Sequence, residues 1–346
     1  MMYWWQIILF PFALLFDVIT RLRNRLYDRG IRQSTKFDTN VVSIGNLSIG
    51  GTGKTPMLNY LIDYFHAKDW KVATLSRGYG RNTRGFRLAS TEDNADSIGD
   101  EPFMYYTRYK GVVPVAVGEE RDLALSELYL HEPDTHVVLL DDAFQHRRLL
   151  PSASIMLTTY QHPFMTDFLL PAGRLREARS GARRADIIIV TKCPENISGA
   201  EQVKYREQIR SYSDAEVFFM TTVYHQPKPM FENDIPLKRN VVGISGLAHS
   251  GSFERHLQKH FGVKLTHHYR DHYRYKNQDV KDIIQELDDD TSLVTTEKDM
   301  VKLRHFDALQ RFSCFYIPIE MKFIKDEALF LSTMESKLKN YVDDPN

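Results

Sequence analysis

The chain has 346 residues, of which 42% are hydrophobic and 26% charged, and its 45 basic residues balance 45 acidic ones. This length is enough for two hydrophobic cores, and the zero net charge argues against nucleic acid as the main partner. Two cysteines, Cys193 and Cys314, lie far apart in sequence. They exclude a disulfide scaffold and are typical of a reducing cytosolic compartment.

The first predicted element is an amphipathic helix. Residues 1–19 are almost all apolar, and five arginines follow by residue 32. The segment has neither the charge order nor the cleavage site of a secretory signal, and a central proline makes it a borderline membrane span. Apolar residues recur at helical spacing: Leu15, Ile19, Leu22 and Leu26. We therefore predict a membrane-interfacial helix over residues 1–36, with its arginines on anionic headgroups. The alternative is a helix packed on the protein's own core.

A glycine-rich turn follows between a predicted strand and a predicted helix. Its residues have the pattern of a phosphate-binding loop, in which backbone N–H groups converge on phosphate oxygens. Lys54 would reach the β- and γ-phosphates and Thr55 would hold Mg²⁺. A glycine-rich turn with an incidental lysine is the alternative. The first residue departs from the usual glycine, and the predicted ATP-binding residues are Ser48, Ile49, Gly50, Gly51, Thr52, Gly53, Lys54 and Thr55.

Short apolar runs then alternate with helical stretches, which predicts an α/β fold of the P-loop NTPase type. The predicted strands cover residues 72–75, 112–117, 137–140, 154–158, 187–191 and 217–223. We expect a mostly parallel sheet with helices on both faces in a kinase domain over 37–224. A proline-rich hinge is predicted over 225–240, followed by a smaller α/β domain over 241–346.

Two strand ends carry candidate catalytic carboxylates. Asp141 and Asp142 follow the apolar run 137–140, where P-loop enzymes place an aspartate that reaches the Mg²⁺ shell. The alternative is that one of them caps the next helix. Asp100 precedes Pro102 and an aromatic helix, so it is either an N-cap or a carboxylate at the ligand-binding edge of the sheet.

Arginines and a histidine provide further candidates. Arg77 and Arg174 lie on glycine-containing turns after strands, where a guanidinium would neutralise an anionic headgroup or the transferring phosphoryl group. A solvated loop charge is the alternative, and it applies more strongly to Arg176. His272 lies among aromatic residues and is a candidate for proton transfer or for orienting a carboxylate.

Together these motifs resemble the tetraacyldisaccharide 4′-kinase family, the membrane-associated lipid A 4′-kinases of Gram-negative bacteria. The resemblance covers most of the chain, although Tyr273 follows His272 where the family often has a second histidine. The motifs that carry it are the arginine-flanked N-terminal helix, Gly45-Asn46, Gly50 to Pro56, Ser76 to Gly80, Gly99 to Pro102, Asp141 to His146, Pro171 to Glu177, Asp271-His272 and Thr295 to Asp299.

The resemblance implies a two-domain kinase at the cytoplasmic face of the inner membrane, peripheral or monotopic. It would move the γ-phosphate of ATP to the 4′-hydroxyl of tetraacyldisaccharide 1-phosphate, with no obligate protein partner. Asp100 would accept the hydroxyl proton, His272 would support it, and Arg174 would meet developing charge. The predicted metal ligands are Thr55, Asp141, Asp142 and Glu101. The predicted substrate-binding residues are Asn46, Arg77, Tyr79, Arg121, Gln145 and His146.

Two other functions use the same loop. A membrane-docked regulatory NTPase would share the P-loop and the N-terminal helix but would need no proton acceptor. Thr191-Lys192 after a strand is faintly similar to nucleotide-base recognition in GTPases, although Cys193-Pro194 breaks that pattern. A soluble kinase or ligase for a small metabolite would remain active without the N-terminal helix and without lipid.

Overall fold

The computed structural model describes residues 4–247 and 250–339. They form two α/β lobes: the larger, P-loop lobe is built around a nine-stranded sheet and the second lobe around a five-stranded sheet. The described helices are α1 Trp4–Asp28, α2 Lys54–Ala67, α3 Ala95–Ile98, α4 Asp100–Tyr109, α5 Arg121–His131, α6 Gly199–Arg210, α7 Gly251–His260, α8 Asn277–Gln285, α9 Glu297–Leu303 and α10 Glu327–Glu335. Short 3₁₀ turns cover Phe164–Thr166, Arg179–Arg184 and Asp307–Leu309.

The strands follow the same alternation along the chain. They are β1 Thr35–Lys36, β2 Asn40–Asn46, β3 Val72–Ser76, β4 Arg87–Leu88, β5 Val115–Val117, β6 Val137–Asp141, β7 Leu149–Leu150, β8 Ala153–Thr159, β9 Ile187–Thr191, β10 Glu216–Tyr224, β11 Lys228–Pro229, β12 Asn240–Ser245, β13 Gly262–His268, β14 Thr291–Thr296, β15 Cys314–Ile317 and β16 Ile319–Phe323.

The larger sheet has nine strands in the order β16-β10-β9-β8-β2-β6-β3-β5-β4. Its strands are parallel from β10 to β5, and the two edge strands are antiparallel. The predicted mostly parallel sheet is therefore confirmed. The strand predicted over 112–117 begins only at Val115, because Pro114 has no N–H for the ladder.

Alternation along β2 explains why helices cover both faces. Val42 and Ile44 share a buried cluster with Leu61 of α2, whereas Val41 packs in the cluster of α5 with Leu125. Successive side chains of a strand point to opposite faces, so a continuously apolar strand needs a cover on each side. All seven residues of β2 are buried, and its carboxyl end leads directly into the glycine-rich turn of residues 48–55, the phosphate-loop segment.

The second sheet has five strands in the order β11-β15-β14-β12-β13. Two predicted boundaries differ from this arrangement. The hinge predicted over 225–240 contains β11, which pairs with β15, and the domain predicted over 241–346 contains β16, which returns to the larger sheet beside β10. Because β16 is a five-residue edge strand, its own pattern does not indicate which sheet it joins. Residues 1–3 and 340–346 of the predicted terminal segments lie outside the described residues.

Helix α1 packs on the larger lobe through one side only. Ala13 and Thr20 are buried, and Asn24 donates to Glu177 Oε2 at 2.7 Å. The opposite side leaves apolar side chains more than half exposed: Ile7, Ile8, Phe12, Leu14, Leu15, Val18, Ile19 and Leu22. None of the helices in the part of the chain that the structure describes has the length and apolarity needed to cross a membrane.

Candidate active site

The glycine-rich turn after β2 is held at several points. Gly50 and Gly53 have φ values of 103° and 92°, a left-handed backbone that only glycine adopts readily. The Asn46 amide donates to Thr52 Oγ1 at 2.6 Å, and the Thr191 hydroxyl donates to the Thr52 carbonyl oxygen at 2.8 Å. The turn is therefore braced by the end of β2 and by the end of β9. Since α2 begins at Lys54, its N-terminus opens directly onto the turn.

The first part of the predicted ATP-binding segment is engaged with the protein. Ser48 bridges to Leu175, and the Ile49 N–H donates to the Arg174 carbonyl oxygen at 2.8 Å. These contacts attach the turn to the segment 169–176. They leave the stretch from Gly50 to Thr55 as the part most open to a ligand, because the Ile49 N–H already has an acceptor.

Lys54 and Asp142 meet in front of this turn. Lys54 Nζ lies 3.5 Å from Asp142 Oδ1, and Arg176 donates to both oxygens of Asp142 at 2.9 Å. Burial opposes ionisation of Asp142, but the charges of Lys54 and Arg176 outweigh it and lower the pKa of that carboxyl. The three side chains form a compact charged group that a phosphate would enter.

Arg174 and Arg176 have different partners. Arg174 Nε donates to Asp167 Oδ2 at 2.8 Å, whereas Arg176, interpreted above as a stronger candidate for solvated charge, is the arginine bound to Asp142. The two arginines are separated by one residue, Leu175, and their side chains pair with different aspartates.

Asp141 lies behind this charged group and is buried. The Tyr105 hydroxyl donates to Asp141 Oδ2 at 3.0 Å and interacts with Thr55, while Asp141 Oδ1 has no hydrogen-bond partner among the described residues. Burial and the negative charge of Glu101 raise the pKa of Asp141 to about 6, against the opposing charge of Lys54. A buried carboxylate oxygen without a partner, close to a threonine at the P-loop helix, fits a divalent cation.

Among the described residues, no cluster of three or more His, Cys, Asp or Glu side chains is arranged to hold a metal ion. This finding is compatible with Mg²⁺ bound beside a nucleotide. Such an ion takes one or two protein carboxylates and completes its octahedron with waters and phosphate oxygens. Thr55 and Asp141 supply that limited set, and Asp142 lies beside them.

Asp100 meets the second lobe directly. The Asp100 carboxylate lies 3.1 Å from His272 Nδ1 and 2.7 Å from Lys302 Nζ. Burial opposes its ionisation, but the hydrogen bond from His272 and the charge of Lys302 hold the pKa of Asp100 at about 2. The predicted pair of Asp100 and His272 is thus brought together from two lobes, 172 residues apart in sequence.

Lys298 is the other close neighbour of His272. Lys298 Nζ lies 3.3 Å from His272 Nε2, and an ammonium can only donate. This contact favours the tautomer with the proton on Nδ1, which faces Asp100. Lys298 also pairs with Glu101 at 3.2 Å and with Asp271 at 3.0 Å, so the predicted metal ligand Glu101 is already engaged by a cation.

Sequence analysis gave no role to Lys298, although it belongs to the motif Thr295 to Asp299, and did not single out Lys302. In the structure this motif caps α9, since Thr296 Oγ1 accepts from the Asp299 N–H at 3.1 Å. The two lysines are nevertheless four residues apart in α9, which places them on one face of the helix. That spacing was the available signal.

Two predicted substrate-binding residues are exposed after β3, and one of them, Tyr79, contacts the second lobe. Tyr79 is 69% exposed and its ring contacts the His272 ring edge to face at 5.4 Å. Arg77 is exposed on the same turn after β3. Both side chains are accessible to an acceptor molecule that approaches Asp100.

The other four predicted substrate-binding residues are more enclosed. Asn46 is fully buried and holds the turn through Thr52, while the Gln145 amide donates to the Asn46 carbonyl oxygen at 2.8 Å. Arg121 is also buried, and burial lowers its pKa to about 10. Burial and the charge of Arg121 lower the pKa of His146 to about 4.

Glu177, a fully buried carboxylate, links Gln145 to α1. It accepts from Arg184 at 2.6 Å, from Gln145 at 3.1 Å and from Asn24 of α1 at 2.7 Å. Because a buried charge needs such partners, the contact fixes the orientation of α1 relative to the phosphate-loop segment.

The site is that of a P-loop nucleotide-binding phosphotransferase. The glycine turn is braced and has a lysine at the helix N-terminus, with a buried aspartate on the adjoining strand. A carboxylate of this lobe is shared with the second lobe. The comparisons agree. A family model described as tetraacyldisaccharide-1-P 4′-kinase matches residues 5–339. The chain belongs to this tetraacyldisaccharide-1-phosphate 4′-kinase family.

Individual relatives match along their length. A tetraacyldisaccharide 4′-kinase of Flavobacterium psychrophilum is 41% identical over 342 residues, which cover 97% of this chain and 96% of the relative. One of Bacteroides thetaiotaomicron is 35% identical over 341 residues, covering 92% and 89%. The crystal structure of an "apo" form of LpxK from Aquifex aeolicus in complex with ATP has a TM-score of 0.76 at 29% identity, covering 96% of this chain and 99% of that one.

Proposed function

We propose that the protein is an ATP-dependent lipid kinase that phosphorylates the 4′-hydroxyl of tetraacyldisaccharide 1-phosphate in lipid A biosynthesis, giving lipid IV-A. The observation that carries the proposal is the contact between Asp100 of the P-loop lobe and His272 of the second lobe. A switch NTPase needs no proton acceptor beside its phosphate loop, whereas transfer to a hydroxyl does. Family membership then supports the identity of the acceptor.

Asp100 accepts the proton of the attacking hydroxyl. Its low pKa keeps it ionised at neutral pH, and the hydrogen bond from His272 holds one oxygen in place. When the lobes close over the acceptor, Tyr79 and Arg77 are accessible on the same side of the cleft and contact the sugar and its phosphate. Closure also removes water from the site, which limits hydrolysis of ATP without transfer to the acceptor.

The nucleotide phosphates lie over Gly50 to Thr55. Lys54 neutralises the β- and γ-phosphates, and Arg176 takes the role first predicted for Arg174, because Arg176 is bound beside Lys54 at Asp142. Thr55 and Asp141 would hold Mg²⁺, with Asp142 beside them, and the ion would supply neutralisation of phosphate charge.

Helix α1 places the kinase on the cytoplasmic face of the inner membrane. Its exposed apolar side chains lie on the side opposite the contacts with Glu177 and Ala172, so they are available to the acyl boundary. Arg25 and Arg29 are exposed at the end of the helix and reach anionic headgroups. Because Glu177 links α1 to the phosphate-loop segment, membrane contact orients the site toward a lipid acceptor.

The decisive experiment offers the purified protein radiolabelled [γ-³²P]ATP, Mg²⁺ and tetraacyldisaccharide 1-phosphate in detergent, with products separated by thin-layer chromatography. We expect label in a bisphosphorylated lipid and its loss in Lys54→Met. Release of inorganic phosphate alone, with no labelled lipid, would contradict the proposal and favour the regulatory NTPase.

Membrane attachment is tested with substitutions that leave the protein-facing side of α1 unchanged. We expect the triple variant Leu15→Glu, Ile19→Glu, Leu22→Glu to lose most flotation with liposomes that contain phosphatidylglycerol, since it puts three charges into the apolar face. The matched control carries three glutamates at exposed apolar positions elsewhere: Val112, Leu123 and Leu130. Equal flotation of both triple variants would show that α1 is not the anchor.

A further inference from the structure

Lys192 is a cation at the phosphate-loop turn that the proposed mechanism does not use. It follows β9 directly, at the same carboxyl edge of the sheet as the turn. Its backbone has a φ of 56°, in the left-handed region that lysine rarely adopts. Both neighbours are fixed: the Thr191 hydroxyl donates to the Thr52 carbonyl oxygen at 2.8 Å, and the Cys193 N–H donates to the Met220 carbonyl oxygen at 3.0 Å.

The side chain of Lys192 extends over the middle of the turn. A Cβ placed on Gly51 would lie 3.8 Å from Lys192 Nζ, so the ammonium lies against the turn's backbone. Lys54, in contrast, has Asp142 as its counterion at 3.5 Å. Within residues 4–247 and 250–339, no carboxylate pairs with Lys192, and burial lowers its pKa with no acidic group to oppose the effect. A half-buried ammonium without a counterion is suited to bind an anion.

The strand order indicates which part of a nucleotide this anion belongs to. Asp142 follows β6, which adjoins β2 on one side, whereas β9 lies on the other side of β2, beyond β8. The γ-phosphate lies at the Asp142 side, because Lys54 and Asp100 are there. A triphosphate that crosses the turn from that side therefore leaves its α-phosphate and ribose toward β9.

We propose that Lys192 is a further nucleotide-binding residue, whose ammonium binds the α-phosphate at the ribose end while its alkyl chain lines the base side of the site. The inference rests on the proposed use of ATP and adds a contact at the end of the nucleotide that does not react. Because that contact is equal in the ground state and the transition state, Lys192 serves binding and not turnover.

The test compares Lys192→Met with the control Lys204→Met, an exposed lysine of α6. Hydrogen bonds to charged groups are worth enough to change affinity by about tenfold or more. We expect Lys192→Met to raise the Kd for ATP and for AMP, and the KM for ATP, by at least about this factor, with kcat at saturating ATP within about twofold of wild type. The affinity for pyrophosphate, which has no α-phosphate or ribose, stays unchanged.

Three results would overturn the inference: an unchanged Kd for ATP, an equal loss of pyrophosphate affinity, or a fall in kcat with the KM unchanged. Lys192→Asn serves as a second charge-removing variant, because asparagine accepts the left-handed backbone and so guards against misfolding. Lys192→Arg is expected to restore most of the ATP affinity. If the wild-type protein itself fails to bind ATP, the proposed function fails, which is distinguishable from an unchanged Kd in the variant.

Discussion

Asp100→Asn is expected to lower kcat by about two to four orders of magnitude, the range typical for removal of a general base. Asparagine has the same shape and still accepts the hydrogen bond from His272 Nδ1–H, but its amide cannot take a proton at neutral pH. The Kd for ATP should change little, because Lys54 and the glycine turn hold the phosphates. Single-turnover transfer of labelled γ-phosphate to the lipid acceptor measures the first quantity, and equilibrium titration with ATP measures the second.

The matched control is Asp134→Asn, whose carboxylate pairs with Lys71 on the surface with 75% of its side chain exposed. It should retain wild-type turnover, because surface ion pairs contribute little. Near-normal turnover in Asp100→Asn, with the thermal midpoint unchanged, would mean that another group or solvent accepts the proton. His272→Ala should cost less than Asp100→Asn, since the histidine positions the carboxylate and does not itself take the proton.

Residues whose role depends on local pattern were predictable from the sequence. The glycine turn, Lys54 and the strand before Asp141 each need only a few consecutive residues, because strand, loop and helix N-terminus follow one another along the chain. Of the two interpretations of Asp100, the N-cap is wrong, because Gly99 is the N-cap of α4 and no described side chain caps that end. Asp100 is the first residue of the helix, and its carboxylate contacts the second lobe.

Residues whose role depends on long-range packing were not predictable. Arg174 and Arg176 share a loop with no periodicity, so which one points toward Asp142 is decided by the contacts of that loop with Ile49 and Leu47. β16 has the alternation of a strand, but only its pairing with β10 determines that it belongs to the larger sheet. Lys302 is a helical lysine whose importance appears only when the lobes meet.

Lys302→Met carries the second large expected effect, and it separates the role of charge from that of shape. Lys302 Nζ lies 2.7 Å from Asp100 Oδ2 with only 8% of its side chain exposed, so it is the main fixed cation at that carboxylate. Methionine fills a similar volume without the charge. An opposite charge at this distance lowers a carboxyl pKa by about 1 to 3, so its removal raises the pKa of Asp100 by a similar amount.

The sign of the pH effect follows from that change. In the wild type the pKa of Asp100 is lowered from 3.8 to about 2, so the carboxylate stays ionised as pH falls. The stability that its ion pair adds to the closed lobes is lost progressively as pH falls between these two values. In Lys302→Met the base protonates at higher pH. We therefore expect the acid limb of kcat/KM to move upward by about 1 to 3 pH units, with the remaining limbs unchanged.

This effect is measured with pH profiles of kcat/KM for Lys302→Met, for the wild type and for the control Lys259→Met. The control changes an exposed lysine of α7. A purely structural role for Lys302 would lower activity equally at every pH and leave the limb in place. Lys302→Arg should return the limb toward its wild-type position, because it restores the positive charge. Since Lys302 and Asp100 belong to different lobes, a displaced limb would also show that closure itself sets the ionisation of the base.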